Sequence, residues 1–415
     1  MLFFLKYLSS VWGPMRIFGS YAVLLCASAL VSAFVVQRFL PRFFRKLPLD
    51  RGKVVKDAAT GAAMNTPDAW GSVGKPTGAG RWLLLLLLPV FVLFLPPSLP
   101  GVDKTTSLPE FVAILRHIAS TPSEWLSLLS PQWAAVLCML MSMVTGYADD
   151  VAEKPWGELR KGLLDAIVAL LAAAVIYYLG EAQCHTIWLP FTKTVFTVPP
   201  WAYIPGAAFL LWLSMNATNC SDGVDGLASS LSLTTLFVCA AFLYGVVGHE
   251  KIAAYLLVPH NPEGARWGIL CAAVAGGYGG YLWHNAYPSR VLMGDAGSRP
   301  LGLLIGIATL ASGNPLVLLA VCPIVMINGL SGLAKLSLLR LLKKFGVNTK
   351  NPFLDGGAAN PKPSLLVRKL HSVRLPWHDH CRKNLGWSPT QVVIRFMLLQ
   401  AFLMPILFLL LLKIR

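Results

Sequence analysis

The sequence predicts an all-α, polytopic membrane protein of about ten transmembrane helices, and three observations carry that prediction. The chain has 415 residues, of which 55% are hydrophobic and only 13% charged, and its mean hydropathy is +0.61. Apolar runs long enough to cross about 30 Å of hydrocarbon recur along the whole length. Lysine and arginine, finally, concentrate on alternate loops between those runs.

Taken in order, the runs lie near 17–40, 81–98, 131–148, 160–180, 200–216, 226–247, 267–284, 299–312, 315–339 and 391–413. The apolar stretch before the first is interrupted at Lys6 and offers no clear small-residue cleavage site, so a cleaved signal peptide is not expected. The eighth run is short, and Ser312-Gly313-Asn314-Pro315 makes a tight turn into the ninth. No internal repeat is visible. The reading is one integral-membrane domain over 1–415, with loops on one face near 41–80, 149–160, 217–225, 285–298 and 340–390.

Charge sets the expected orientation. One set of loops holds Arg42 to Arg81, then Lys154, Arg160 and Lys161, then Arg290 and Arg299, and finally Arg340 to Lys383. The opposite loops hold only Lys104, Arg116, Lys193, Lys251 and Arg266. The positive-inside rule makes the first set cytoplasmic and the N-terminus external. The net charge of +16 therefore calls for no nucleic acid; topology and anionic lipid or phosphate account for it. Cysteine adds little: Cys26, Cys138, Cys239, Cys271 and Cys322 lie in or beside apolar runs, where the residue acts as a small hydrophobe. No CxxC pair exists, and the outer loops offer only Cys184.

Five polar constellations fall on the cytoplasmic side by this count. Asp149-Asp150 ends the third run; it is either a solvated helix end or, since adjacent carboxylates repel, a pair beside a cation. Asn216 to Gly226 packs Asn216, Asn219, Asp222 and Asp225 between two runs. Asp222 and Asp225 share a helical face if the sixth helix begins there, and a capped helix start is the plain alternative. Asp295 stands in Met293-Gly294-Asp295-Ala296-Gly297-Ser298, a turn with more polar chemistry than a turn needs. Asn285 lies upstream of it in the same loop. His378-Asp379-His380 could bind metal, move protons or donate to phosphate. Gly74-Lys75-Pro76-Thr77-Gly78 looks phosphate-cradling but fits no P-loop spacing. Ionisable groups at membrane depth are costly, which makes such turns functional candidates.

Together these residues resemble, in order and spacing, the polyprenyl-phosphate N-acetylhexosamine-1-phosphate transferase superfamily, and within it the translocase I group. The resemblance runs through Pro76-Thr77, Asp149-Asp150, Asn216 to Leu227, Asn285-x-Tyr287-Pro288, Met293 to Ser298, and Pro376 to Phe396. Departures are Asp379 for the middle histidine of a triplet, Leu292 for a phenylalanine that stacks on uracil, and Lys75 for a threonine. The resemblance implies transfer of phospho-N-acetylmuramoyl-pentapeptide from UDP-MurNAc-pentapeptide to undecaprenyl phosphate, at the cytoplasmic face of a bacterial inner membrane. It implies a Mg²⁺ cofactor held by Asp295. Asp149, Asp150, Asp295 and His378 become the catalytic candidates. Lys75, Thr77, Asn216, Asn219, Asp222, Asp225, Asn285 and His380 become candidates for binding substrate. The lipid bilayer is a partner and a homodimer an option. Two rivals stay open: UDP-N-acetylglucosamine as donor, and, from another class, an ion-coupled transporter, which would want mid-membrane carboxylates and repeated halves.

Overall fold

Segments crossing lipid must satisfy every backbone N–H and C=O internally, which favours helices, and the computed structural model of this chain is built of them. It describes residues 2–10, 12–50, 54–56, 63–65, 72–96, 108–121, 129–153, 156–180, 185–188, 194–349 and 364–413. The loop positions Arg51, Lys53, Lys104, Lys154, Cys184, Lys193, Lys350 and Lys362 lie outside these residues.

The helices are α1 (Tyr21–Phe39), α2 (Gly80–Phe94), α3 (Leu108–Ser120), α4 (Pro131–Val151), α5 (Glu158–Leu179), α6 (Pro200–Ser221), α7 (Leu227–Phe242) and α8 (Glu250–Tyr255). They continue with α9 (Gly264–Asn285), α10 (Asp295–Ala311), α11 (Val317–Val321), α12 (Pro323–Lys344), α13 (Leu365–Ser372), α14 (Trp377–Lys383) and α15 (Pro389–Lys413). Two small hairpins, β1 (Val54–Lys56) with β2 (Ala63–Asn65) and β3 (Thr186–Trp188) with β4 (Val195–Thr197), sit in loops.

Six helical stretches among the described residues are long and apolar enough to cross a membrane: Tyr21–Lys46, Pro131–Val151, Glu158–Leu179, Leu227–Val247, Pro323–Lys344 and Pro389–Leu412. The chain is thus an all-α, polytopic membrane protein. The other predicted spans fall on α2, α6, α9 and α10. Of these, α9 and α10 are enclosed by their neighbours along almost their whole length. α10 is the hub of the fold, touching α2, α4, α5, α6, α7 and α9.

The predicted ninth run, 315–339, is two helices rather than one. Pro323 has no N–H to continue the ladder, and Cys322 leaves helical geometry with φ −141° and ψ 51° before α12 starts. Asp222 and Asp225 do not share a helical face either. Asp222 follows the last residue of α6, and α7 begins only at Leu227, with Gly226 at φ 79° between them.

The polar turns end up together. The start of α2, the end of α4, the start of α5, the end of α6, the end of α9 and the start of α10 meet at one end of the bundle. Gly80 N–H donates to Met293 O, Asn219 Nδ2 to Asp295, and Arg299 to Asp165.

Candidate active site

The site is organised by the first turn of α10. Four N–H groups at a helix start lack intrahelical acceptors and carry partial positive charge. Here Asp150, from the end of α4, accepts two of them: Asp295 N at 3.0 Å on Oδ1 and Ala296 N at 3.1 Å on Oδ2. The approach requires glycine at 294. Its φ of 71° and ψ of 177° are essentially closed to other residues, and a Cβ there would collide with the Asp150 carboxylate. The Pro76–Gly80 turn is laced to the segment that leads into α10, with Leu292 N donating to Pro76 O at 2.8 Å. Thr77 lies on this lacing and donates its own N–H to Pro48 O at 2.9 Å.

Asp295 and Asp149 stand beside one another under two cations. Lys161, on the first turn of α5, pairs with Asp149 and lies 3.5 Å from Asp295. Arg299, one turn into α10, pairs with Asp295 and approaches Asp149 at 3.7 Å. Asn219 Nδ2 donates to the other Asp295 oxygen at 2.8 Å and to Ser298 Oγ at 3.1 Å. Asp149 is only 8% exposed and accepts from Trp156 N at 3.0 Å. The solvated-helix-end reading of Asp149-Asp150 therefore falls.

A second group flanks the first. Lys75 Nζ donates to Asp225 Oδ2 at 3.2 Å and Ser289 Oγ at 2.9 Å, and Ser289 N donates to the same Asp225 oxygen at 3.0 Å. Asn285 accepts Gly226 N at 2.9 Å and donates to Val291 O at 2.9 Å, so it fixes the turn on which Asp225 stands. Between the groups lies Asp222. Burial and the neighbouring carboxylates of Asp295, Asp150 and Asp225 push its pKa up to about 7.

His378, 4% exposed, closes the site from above the end of α6. Its Nε2 lies where a Cβ on Gly223 would stand, so only glycine allows the imidazole this close. Asn328 of α12 sets the ring: its Oδ1 accepts His378 N at 3.0 Å. Its Nδ2 donates to Ser221 Oγ at 3.0 Å and lies 3.1 Å from His378 Nδ1. Nδ1 also lies 3.2 Å from Asn328 Oδ1, so the amide can hold the ring in either neutral tautomer. Burial first, then the nearby Arg382 and Lys383 against Asp379, holds the imidazole pKa down at about 4.

Two candidates are not brought in. Asn216 donates to Trp212 O at 2.9 Å on its own helix, and His380 stands edge-on to Trp377 with ring centroids 5.8 Å apart. Four residues enter that sequence reasoning did not place: Asp165, Lys161 and Arg299 in the acidic centre, and Asn328 behind His378. Lys161 and Arg299 were read as loop charges setting orientation. The available signals were a carboxylate and an amide, Asp165 and Asn328, each alone inside an apolar run.

The donor set suits a hard divalent cation. Among the described residues, no group of three or more histidine, cysteine or carboxylate side chains is arranged to hold a metal ion by itself. Six carboxylates (Asp149, Asp150, Asp165, Asp222, Asp225 and Asp295) nevertheless face three protein cations, Lys75, Lys161 and Arg299. The surplus is negative and every donor is oxygen. Mg²⁺ is commonly held by one or two carboxylates plus water and substrate phosphate, and Asp295, with its side chain 23% exposed, could be such a ligand.

Comparison with known proteins bears on the same region. The glycosyl transferase family 4 model matches residues 132–313, the stretch from α4 to the end of α10. The chain is 37% identical over 406 residues to the phospho-N-acetylmuramoyl-pentapeptide-transferase of Treponema pallidum (strain Nichols), covering 97% of this chain and 93% of that one. It is 28% identical over 416 residues to the protein of that name from Methylacidiphilum infernorum (isolate V4), covering 96% of each. The counterpart in Bartonella quintana (strain Toulouse) is 27% identical over 410 residues, covering 97% of each.

Proposed function

The chain belongs to the phospho-N-acetylmuramoyl-pentapeptide transferase family, and we propose that it moves phospho-N-acetylmuramoyl-pentapeptide from UDP onto undecaprenyl phosphate. The products are lipid I, for peptidoglycan synthesis, and UMP. The observation that carries this reading is the gathering of Asp149, Asp150 and Asp295 around the start of α10, where an acceptor from the bilayer and a donor from water can meet.

Phosphoryl transfer asks a protein mainly for positioning and for neutralisation of developing charge. A phosphate monoester has its second pKa near 6, so a lipid phosphate is largely a dianion at neutral pH and attacks the donor without a strong base. Bound Mg²⁺ would supply charge neutralisation on the diphosphate. Asp295 holds its geometry through Asn219 and Arg299. Asp149 sits beside it, and Lys161 lies across both to meet phosphate oxygens. Asp150 fixes the first turn of α10 and with it the position of Asp295. His378, neutral at pH 7, turns Nε2 toward the Gly223 turn, and Lys75, paired with Asp225, would meet the nucleotide side.

Ten spans, an external N-terminus, a cytoplasmic site and residence in a bacterial inner membrane belong to the same proposal. The one-sided gathering of polar turns and basic loops supports them. A homodimer in the bilayer is proposed with them, and the mass of the purified protein in detergent decides it. The test of function is UMP release by purified protein with undecaprenyl phosphate and Mg²⁺, comparing UDP-MurNAc-pentapeptide with UDP-N-acetylglucosamine. Turnover of the first alone is expected; turnover of the second alone would transfer the assignment to the other donor.

A further inference from the structure

The least expected feature of the molecule is a guanidinium enclosed by protein. Arg299 is 2% exposed and Asp165 is 1% exposed, and Nη1 of the arginine bonds the aspartate at 3.3 Å. Desolvating two such charges costs several kcal/mol each, and a well-packed apolar pair would join α5 to α10 at least as well. Stapling alone therefore does not account for the pair.

Its geometry does. Arginine presents a rigid planar fork, and here the two tines serve different partners. Nη1 is held by Asp165, whose side chain is 2% exposed. Nη2 faces the catalytic centre, bonding Asp295 and lying 3.7 Å from Asp149. With Asn219 on the opposite oxygen of Asp295, the carboxylate is gripped on both sides. Asp165, about two helical turns into α5, reaches Asp295 and Asp149 through this one side chain.

Resting on the reaction proposed above, we propose that Arg299 is a built-in counter-ion that positions Asp295 and Asp149 for phosphoryl transfer, and that Asp165 is the anchor that aims it. The guanidinium bridges the two carboxylates and offsets part of their charge, so it sets how strongly the centre attracts a divalent cation. Removing it adds one uncompensated negative charge to the centre; removing Asp165 takes one away and lets the guanidinium settle deeper onto Asp295 and Asp149. The two substitutions should thus move divalent-cation affinity in opposite directions.

The experiment uses the full-length protein in detergent, as wild type, Arg299→Leu, Asp165→Asn, Asp165→Glu and the double variant Asp165→Leu/Arg299→Leu. Thermal unfolding is followed against Mg²⁺ concentration without donor, and kcat and KM for UMP release are measured separately. Half-saturating Mg²⁺ should fall about 10-fold in Arg299→Leu and rise in Asp165→Asn, the scale of one nearby unit charge in a partly desolvated site. Both single variants should lose at least about 10²-fold in kcat with KM within about threefold, the size expected when transition-state charge loses a fixed partner. Asp165→Glu should restore most of kcat. The double variant should regain the melting temperature that each single variant loses, yet keep the low kcat.

A double variant with wild-type kcat would reduce the pair to a structural staple and overturn the proposal. So would shifts of Mg²⁺ affinity in the same direction for both single variants. The melting arms need no turnover. If wild type released no UMP from any donor, the reaction assignment would fall, and opposite shifts in Mg²⁺ affinity would still uphold the counter-ion role.

Discussion

Asp295 and His378 show how much a single side chain decides in this site. Asp295→Asn keeps the size and one oxygen but is a far poorer Mg²⁺ ligand, so UMP release should drop at least about 10²-fold while helical circular dichroism is unchanged. Wild-type turnover at ordinary Mg²⁺ would remove Asp295 from the site. For His378 the prediction is one of pH. Its folded pKa of about 4 lies below the usual value near 6.5, so folding favours the neutral ring. That contribution is complete above about pH 6.5 and is lost as pH falls toward 4. Wild type should therefore lose more melting temperature between pH 6.5 and 4 than His378→Gln does; parallel losses would mean the imidazole is not held neutral. At this scale the acidic turns were legible because carboxylates at membrane edges stand out against an apolar sequence. The pairing of Asp165 with Arg299 was not, because an arginine near the start of a run reads as a topology signal until its partner in space is known.

At the scale of elements, the helices were legible and their interruptions less so. Periodic apolar runs predict where α1, α4, α5, α7 and α15 lie. They do not say that Cys322-Pro323 breaks the ninth run, since each half alone looks like part of one span. Amphipathic α3 and the two hairpins carry too little apolar length to register against the spans around them. The placing of Asp222 and Asp225 on one helical face failed for a related reason. Spacing of three suits a helix, but Gly223 and Gly226 hold a turn there, and φ 79° at Gly226 ends any helical register. The element that organises chemistry is α10, and its start depends on Gly294. In Gly294→Ala the new Cβ would enter the Asp150 carboxylate at a backbone conformation costing about 1–3 kcal/mol for other residues. We expect a lowered melting temperature and at least about 10-fold slower UMP release. A melting curve like wild type would show that the cap on α10 is not under this constraint.

Across the whole molecule, charge and chemistry point the same way. Arg42, Arg45, Lys46, Lys75, Arg81, Arg160, Lys161 and Arg290 lie at the end of the bundle that carries the acidic centre, as do Arg340, Lys343, Lys344, Arg368, Lys369, Arg374, Arg382 and Lys383. The loops at the other end hold Arg116, Lys251 and Arg266 among the described residues. Arg299 leaves this topology count because it is enclosed beside Asp295, and the asymmetry survives without it. Basic loops resist translocation, so the acidic centre should face the cytoplasm, where a water-soluble nucleotide sugar is made available. Two exposed positions report on this from opposite ends: Lys369 on α13 near the site, and Glu250 at the start of α8 beyond the far end of α7. In a background freed of native cysteines, Glu250→Cys should react with a membrane-impermeant maleimide added to intact spheroplasts. Lys369→Cys should react only after lysis. The reverse pattern would place the carboxylates outside, away from any cytosolic donor, and the proposed reaction could not be sustained by this chain. Labelling of both positions in intact cells would break the alternation of spans on which the ten-helix reading depends.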